Sequence, residues 1–298
     1  MTAPLLLLDT ASLYFRAFFG VPDTPRAPDG TPVNAVRGLL GFVARLASDR
    51  QPSAIVACWD NDWRPDFRVA LVPTYKAHRV VDPASDAEEV PDLLSVQVPI
   101  IATLLPALGV PVVGADGFEA DDVIGSLASA ATGPVEVVTG DRDLFQLVDE
   151  RVRVLYTARG VGRHEVVDDA WLLTKYGVTG RQYADFATLR GDASDGLPGV
   201  KGVGEKTASA LMAQYGDLGG IGTAAADPAS AMRPAVRSAI VESADYLSRA
   251  ARVVRVDRDL GLDIPLPSPD PGILSDLGHR YGINGPIQRA SAALATLA

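Results

Sequence analysis

The sequence carries one cysteine, Cys58, and three histidines in 298 residues. No internal disulfide can form, and Cys58, inside the apolar run from Ala54 to Trp59, reads as core rather than as a nucleophile. His78, His164 and His279 stand apart from one another and read as surface or structural residues, so any metal chemistry has to come from oxygen ligands. The short apolar start, Met1 to Leu8, has no basic n-region and no cleavage site, and Asp9 interrupts it. No run approaches a membrane span, and a soluble cytoplasmic protein is expected. Positive charge is also scarce, with 27 Lys and Arg against 37 Asp and Glu and a net charge of −10. Such a balance argues at first sight against a nucleic-acid partner, whose affinity is built from Lys and Arg contacts to phosphate. Distribution matters more than the sum, because bound divalent ions offset clustered acids and the remaining basic residues need only be grouped. There is no sustained internal repeat.

What the sequence does have is acids in telling places. Glu119, Asp121 and Asp122 open a helix whose apolar positions are Val123, Ile124, Leu127 and Ala128, and Asp141 and Asp143 follow the strand Val135 to Thr139. Acids in a first helical turn can simply complement the helix dipole. Two more buried strands, Leu5 to Leu8 and Ala54 to Trp59, also end in acids, Asp9 and Asp60. Like charges gathered at the carboxyl edge of one sheet repel unless a cation neutralises them, and carboxylates alone suit Mg²⁺ or Mn²⁺.

Strands alternate with helices through residues 1–176, the signature of an α/β fold with a mostly parallel sheet and helices on both faces. Residues 21–32 read as a loop, Leu93 to Leu108 as one buried helix limited or kinked by Pro99 and Pro106, and Val110 to Val113 as a strand. Residues Asp62 to Arg79 mix basic and aromatic side chains, as suits a phosphate backbone and stacked bases. Asp82 to Asp92 reads as a mobile connection that could act as a lid. Near residue 180 the pattern becomes helical. Between helices at Arg181 to Arg190 and Glu205 to Tyr215 lies a glycine-rich loop, Gly191 to Gly204, whose free N–H groups and the next helix's N-terminus form a phosphate seat. Lys201 and Lys206 supply charge there, and Val200 and Val203 anchor the loop. Ala224 to Ala231 reads as a linker, and Arg233 to Val256 as one long helix.

These motifs, in this order from about Leu5 to about residue 260, resemble the 5′-nuclease (flap endonuclease) family, and specifically its bacterial branch, the 5′-exonuclease domain of DNA polymerase I. The resemblance rests on Asp9 with Tyr14 to Phe18, Phe67-Arg68, Tyr75 to Arg79, Gly117 to Asp122, Thr139 to Leu147, and Gly191-Asp192 to Ala208. It implies a PIN-like nuclease core at 1–176 with an arch segment near 62–95. A helix-three-turn-helix (helix-hairpin-helix) duplex-binding subdomain would follow at 177–260, and a C-terminal tail at 261–298 would pack on the body. Asp9, Asp60, Glu119, Asp121, Asp122, Asp141, Asp143, Asp192 and Asp195 fall on the family's metal carboxylates. Of these, Asp121, Asp122 and Asp141 are implied nearest one ion and Asp143, Asp192 and Asp195 nearest a second. Lys76 and Arg79 fall on catalytic positions at the base of the arch. Arg16, Arg68, Tyr75, Gly199, Lys201, Gly202, Gly204, Lys206 and Thr207 are the implied DNA contacts, with K⁺ a further candidate at the 199–204 hairpin.

Thr10 and Gly196 depart from the usual pattern without removing a ligand. The function so implied is a free-standing, structure-specific 5′-3′ exonuclease and flap endonuclease, using two or more Mg²⁺ or Mn²⁺ ions. It would be monomeric, nucleoid-associated and in contact with replication or repair proteins. A non-catalytic DNA-binding scaffold and a PIN-type ribonuclease are the alternatives.

Overall fold

The computed structural model describes residues 2–82 and 87–297. In chain order the first part comprises β1 (Leu5–Asp9), α1 (Thr10–Gly20), α2 (Asn34–Arg50), β2 (Ala54–Trp59), α3 (Asp66–Leu71), β3 (Val80–Asp82) and β4 (Ala87–Glu88). Next come α4 (Asp92–Ser95), α5 (Val98–Ala107), β5 (Val112–Gly114), α6 (Ala120–Ala130), β6 (Val135–Thr139), β7 (Val152–Tyr156), β8 (Glu165–Val167) and α7 (Asp169–Tyr176). The second part is helical: α8 (Gly180–Arg190), α9 (Glu205–Tyr215), α10 (Leu218–Ala226), α11 (Pro234–Glu242), α12 (Ala244–Val254), α13 (Pro271–Tyr281) and α14 (Asn284–Leu294).

One six-stranded sheet runs in the order β5-β2-β1-β6-β7-β8. Its first five strands are parallel, and β8 pairs antiparallel with β7 at the edge. Strand β1 is wholly apolar up to Asp9, as a strand covered on both faces must be. The chain leaves β1 toward β2 on one side and later returns to its other side as β6. That reversal opens a crevice at the carboxyl ends of these three strands, where ligands bind in open α/β sheets. One sheet face packs on a cluster containing Leu6, Leu8, Leu39, Val43, Leu104 and Ile287. The other packs on a cluster that begins at Leu7, Val56 and Val137 and continues through Phe145, Tyr183 and Phe186 to Met212, Ile240 and Val253. The helical region therefore shares its core with the sheet.

Several sequence readings change. Residues 93–108 form two helices, because Pro99 has no N–H to offer Ser95 O, and the buried Gln97 side chain holds the junction by bonding Leu93 O at 2.8 Å, Ala35 N at 2.9 Å and Asn34 Oδ1 at 2.9 Å. The single helix expected over 233–256 breaks at Ser243, with φ −96° and ψ 6°. Its two halves serve different partners, α11 lying on α10 while α12 lies on α8 and α3. The linker expected from Ala224 begins inside α10, a helix capped by Asp217 whose three glycines hide its helical character. Around the expected lid, β3 and β4 form a short antiparallel ribbon, and residues 83–86 lie outside the described residues. The chain beyond 270 folds as α13 and α14, the latter lying along α2. No helix among the described residues is long and apolar enough to cross a membrane.

Candidate functional site

A cleft of about 380 Å³ opens at the carboxyl ends of β1, β2 and β6, lined by Asp9, Asp60, Glu119, Asp121 and Asp141 together with Lys76 and Arg79. Each acid arrives by a local device. Asp9 caps α1, accepting from Ser12 N at 3.1 Å, and its second oxygen accepts from Thr139 Oγ1 at 2.6 Å. Thr139 Oγ1 in turn accepts from Asp141 N at 2.8 Å, and Asp141 Oδ1 accepts from Asp143 N at 2.8 Å. This chain of bonds registers β1 against the turn after β6. Asp60 accepts from Ala120 N at 2.7 Å, fixing the start of α6 over the end of β2. Glu119 and Asp122 form a reciprocal capping box at that start.

The second group of acids comes from the glycine-rich loop. Asp192 caps a short turn containing Asp195, and the loop is fastened to the segment bearing Lys76. Lys76 N donates to Asp195 O at 2.9 Å, Thr74 Oγ1 to Gly196 O at 2.7 Å, and Arg79 Nη2 to Ser194 O and Asp195 Oδ1, both at 2.8 Å. Gly196 has φ +70°, and a Cβ there would stand 2.1 Å from Thr74 O. A side chain there would have to displace the Thr74 backbone. Lys76 itself has φ +48°, a left-handed strain that an L-residue adopts only when its surroundings impose it.

The charges in the cleft oppose one another. Burial, then Asp60, push Asp9 up to about 7. Burial, then neighbouring acids led by Asp141, raise Asp121 and Asp143 well above the usual carboxylate range. Asp195 is pushed up to about 6 by burial, against the pull of Lys76. Burial also works against the Lys76 ammonium, and Glu119 with Tyr75 and Asp195 more than reverses it. Lys76 Nζ bonds Glu119, while Arg142 and Arg190 approach Asp192 at 3.3 and 3.6 Å. Among the described residues no three acidic, His or Cys side chains converge closely enough to hold an ion between them. The donor set does fit a hard divalent ion, being all oxygen, crowded and in need of positive charge.

Three expected site residues lie elsewhere. Asp122 is fully buried, and its carboxylate takes the Arg68 fork at 2.6 and 2.7 Å and Asp257 N at 2.8 Å. It holds α6 in place and does not line the cleft. Arg68, expected on DNA, is 2% exposed and also donates to Val253 O at 3.0 Å and to Glu119. Tyr75, expected on DNA, is 4% exposed and donates to Glu119 at 2.7 Å. Both steady the cleft from behind, because a basic or aromatic residue near a site in sequence can as well turn inward to pair with a buried acid.

The hairpin lies as its glycines demand. Val200 and Val203 are buried, Lys201 and Lys206 are exposed, and Thr207 is half-buried. Gly191 and Gly199 pass so closely that a Cβ on either would meet the other's N at 2.6 Å, whereas Gly202 and Gly204 stand in the open. Arg16 lines a neighbouring groove rather than the cleft, its Nη1 donating to Ala158 O at 3.1 Å.

Two family models account for most of the chain. The N-terminal resolvase-like domain of 5′-3′ exonucleases matches residues 4–177, and their C-terminal SAM fold matches residues 178–270. The chain belongs to the 5′-3′ exonuclease family. A 5′-3′ exonuclease of Streptomyces coelicolor is 56% identical, covering 97% of this chain and 99% of that protein. One of Mycobacterium tuberculosis is 46% identical, covering 100% and 99%. Among solved structures, the bacteriophage T5 flap endonuclease in a pseudo-enzyme-product complex with DNA and metal ions shares the fold, with a TM-score of 0.65 at 16% identity over 99% of both chains.

Within this 5′-3′ exonuclease, sequence reading missed residues that act through others. Ser12 Oγ accepts from Gly140 N at 2.9 Å, and Thr139 bridges Asp9 and Asp141. Gln146, 4% exposed, donates to Asp143 O at 2.8 Å and to Val254 O at 2.9 Å. Glu88 and Tyr14 line the cleft itself. Neutral and small, Ser12 and Thr139 carry no signal by type. Their only trace is position, one three residues after the strand-end Asp9 and the other two residues before Asp141.

Proposed function

We propose that this family member is a divalent-metal-dependent 5′-3′ exonuclease and flap endonuclease that hydrolyses phosphodiester bonds of DNA. The observation that carries this reading is the meeting of acids from three strand ends and one helix start around a single cleft, with Lys76 and Arg79 at its wall and Arg79 bonded to Asp195 of the glycine-rich loop. Asp9, Asp60, Glu119, Asp121 and Asp141, joined by Asp143, Asp192 and Asp195, would hold the ions. Those ions would be Mg²⁺ or Mn²⁺, and when bound they supply Lewis acidity and an activated water. Lys76 and Arg79 place positive charge where a scissile phosphate enters, and a single well-placed cation of this kind is worth about 3 kcal/mol in the transition state. Gly199, Gly202 and Gly204, with Lys201, Lys206 and Thr207, would grip duplex backbone without reading bases, with K⁺ at the hairpin a further proposed ligand. Selection would then be for a 5′ end or branch, as replication and repair require.

Cleavage of a 5′-labelled flap duplex with Mg²⁺ or Mn²⁺, with the Asp141→Ala, Asp143→Ala double variant as control, tests the reading. Metal-dependent cutting near the junction, lost in the variant, is expected. Flap binding without cutting under either metal would overturn it in favour of a DNA scaffold, and preferential cutting of single-stranded RNA in favour of a ribonuclease.

A further inference from the structure

Two of the turns that carry acids also bring an arginine each. Arg142 stands between Asp141 and Asp143, and Arg190 closes α8 two residues before Asp192. Both reach the same carboxylate oxygen. Asp192 Oδ2 has Arg142 Nη2 at 3.3 Å and Arg190 Nη2 at 3.6 Å, while Oδ1 accepts from Ser194 N at 2.9 Å and from Ser194 Oγ. A carboxylate expected to help hold a divalent ion therefore already faces two cations of the chain.

Arg190 is more firmly placed than satisfied. Its Nε donates to Gly191 O at 3.2 Å, and its guanidinium stands 5.2 Å from the centroid of the Phe186 ring. Its Nη1 and Nη2 are buried and make no hydrogen bond among the described residues. Donors left unused in this way are costly, and an anion would satisfy them. The space for one is present. Arg142, Arg190 and Asp192 line a cavity of about 670 Å³ that runs from Thr74 past Ser194 to Pro198, at the foot of the hairpin. Its other carboxylate, Glu205, is exposed and bonds neither arginine among the described residues. A phosphate oxygen in this cavity would offer the arginines bonds of about 2.7–2.9 Å, shorter than those they make with Asp192.

We propose that Arg142 and Arg190 are built-in counter-ions of Asp192 that transfer to a DNA phosphate on the path from cleft to hairpin, so that ion binding at Asp192 and DNA binding favour each other. The proposal rests on the nuclease reading and adds how the site couples its ion to its substrate. Such coupling is reciprocal. DNA that draws the arginines away leaves Asp192 to the ion, and an ion that displaces them frees two cations for DNA.

Electron paramagnetic resonance of free Mn²⁺ measures ion binding to the parent and to an Arg142→Gln, Arg190→Gln variant without DNA. The variant is expected to hold its weaker-bound ion roughly tenfold more tightly, because each opposed charge at this range is worth about 1 kcal/mol even in bulk water. The Arg142→Lys, Arg190→Lys variant, which keeps the charge, should stay near the parent. Fluorescence anisotropy on a flap duplex in EDTA and in Ca²⁺ supplies the second half: the Gln variant should match the parent in EDTA and bind roughly tenfold more weakly in Ca²⁺, where the parent's arginines are released to phosphate. Unchanged or weaker Mn²⁺ binding by the Gln variant, equal tightening in the Lys variant, or equal loss of DNA affinity with and without Ca²⁺ would overturn the proposal. Parallel cleavage by the parent separates the two readings: absence of product with Mn²⁺ counts against the nuclease, while the ion titration still reports on the arginines.

Discussion

At the scale of single residues, Asp121 and Asp122 are neighbours with opposite duties. Asp121 faces a crowd of acids and is held well above its ordinary range, first by burial and then by Asp141. Asp122 faces the Arg68 fork. Thermal unfolding in EDTA at about pH 8 and about pH 6 should separate them. A carboxyl whose folded value is raised makes the folded state bind the extra proton, so its stabilisation is fully present only below the unfolded value and is lost as pH rises from there through the folded value. With Asp9 at about 7 and Asp195 at about 6, the metal-free parent is expected to melt higher at the lower pH. Asp121→Asn should raise the melting temperature at about pH 8 while abolishing cleavage. Asp122→Asn should lower it at both values through a loss of about 3 kcal/mol of stability, the usual cost of breaking a buried ion pair from one side.

At the scale of elements, the acids at strand ends were readable because each follows a short run rich in apolar and β-branched residues, as a buried strand requires. The hairpin was readable because its glycines and valines alternate between needing space and filling it. The partners of Arg68 and Tyr75 were not, since those bonds join segments far apart in the chain. Strand β8 escaped because three residues carry too little pattern, and the break at Ser243 because it is set by two packing partners rather than by a breaker residue. The fastening between the Asp192 loop and the Lys76 segment was equally hidden, and Gly196 is its tightest point. Gly196→Ala is expected to cost about 2 kcal/mol or more, from a left-handed backbone plus the contact with Thr74 O. Activity should fall with it, because Lys76 and Asp195 lose their common footing. Gly202→Ala is the control, left-handed at φ +78° but in open space, and should cost only about 1 kcal/mol. Chemical denaturation of both variants makes the comparison.

At the scale of the whole molecule, the two family-model regions meet at 177 and 178, yet one hydrophobic cluster runs through both. The join is also polar. Arg68 donates to Val253 O, Gln146 to Val254 O, and Asp257 N to Asp122. Calorimetry is therefore expected to show one unfolding transition, and a fragment ending at residue 177 is expected not to fold, because Phe145 and its neighbours would lose the helices that cover them. Two separate transitions would contradict this account.

The same fastening has a metrical consequence. Val200 N is bonded to Leu189 O, Gly199 N to Tyr246 Oη, and Lys76 N to Asp195 O. The hairpin proposed to grip the double helix and the acidic cleft are thus mounted on one frame of fixed length. On the proposed function a protein so built would work as a ruler: the nucleotide at which it cuts would be counted from where the duplex begins, and scatter in product length would measure slippage of the DNA rather than bending of the protein.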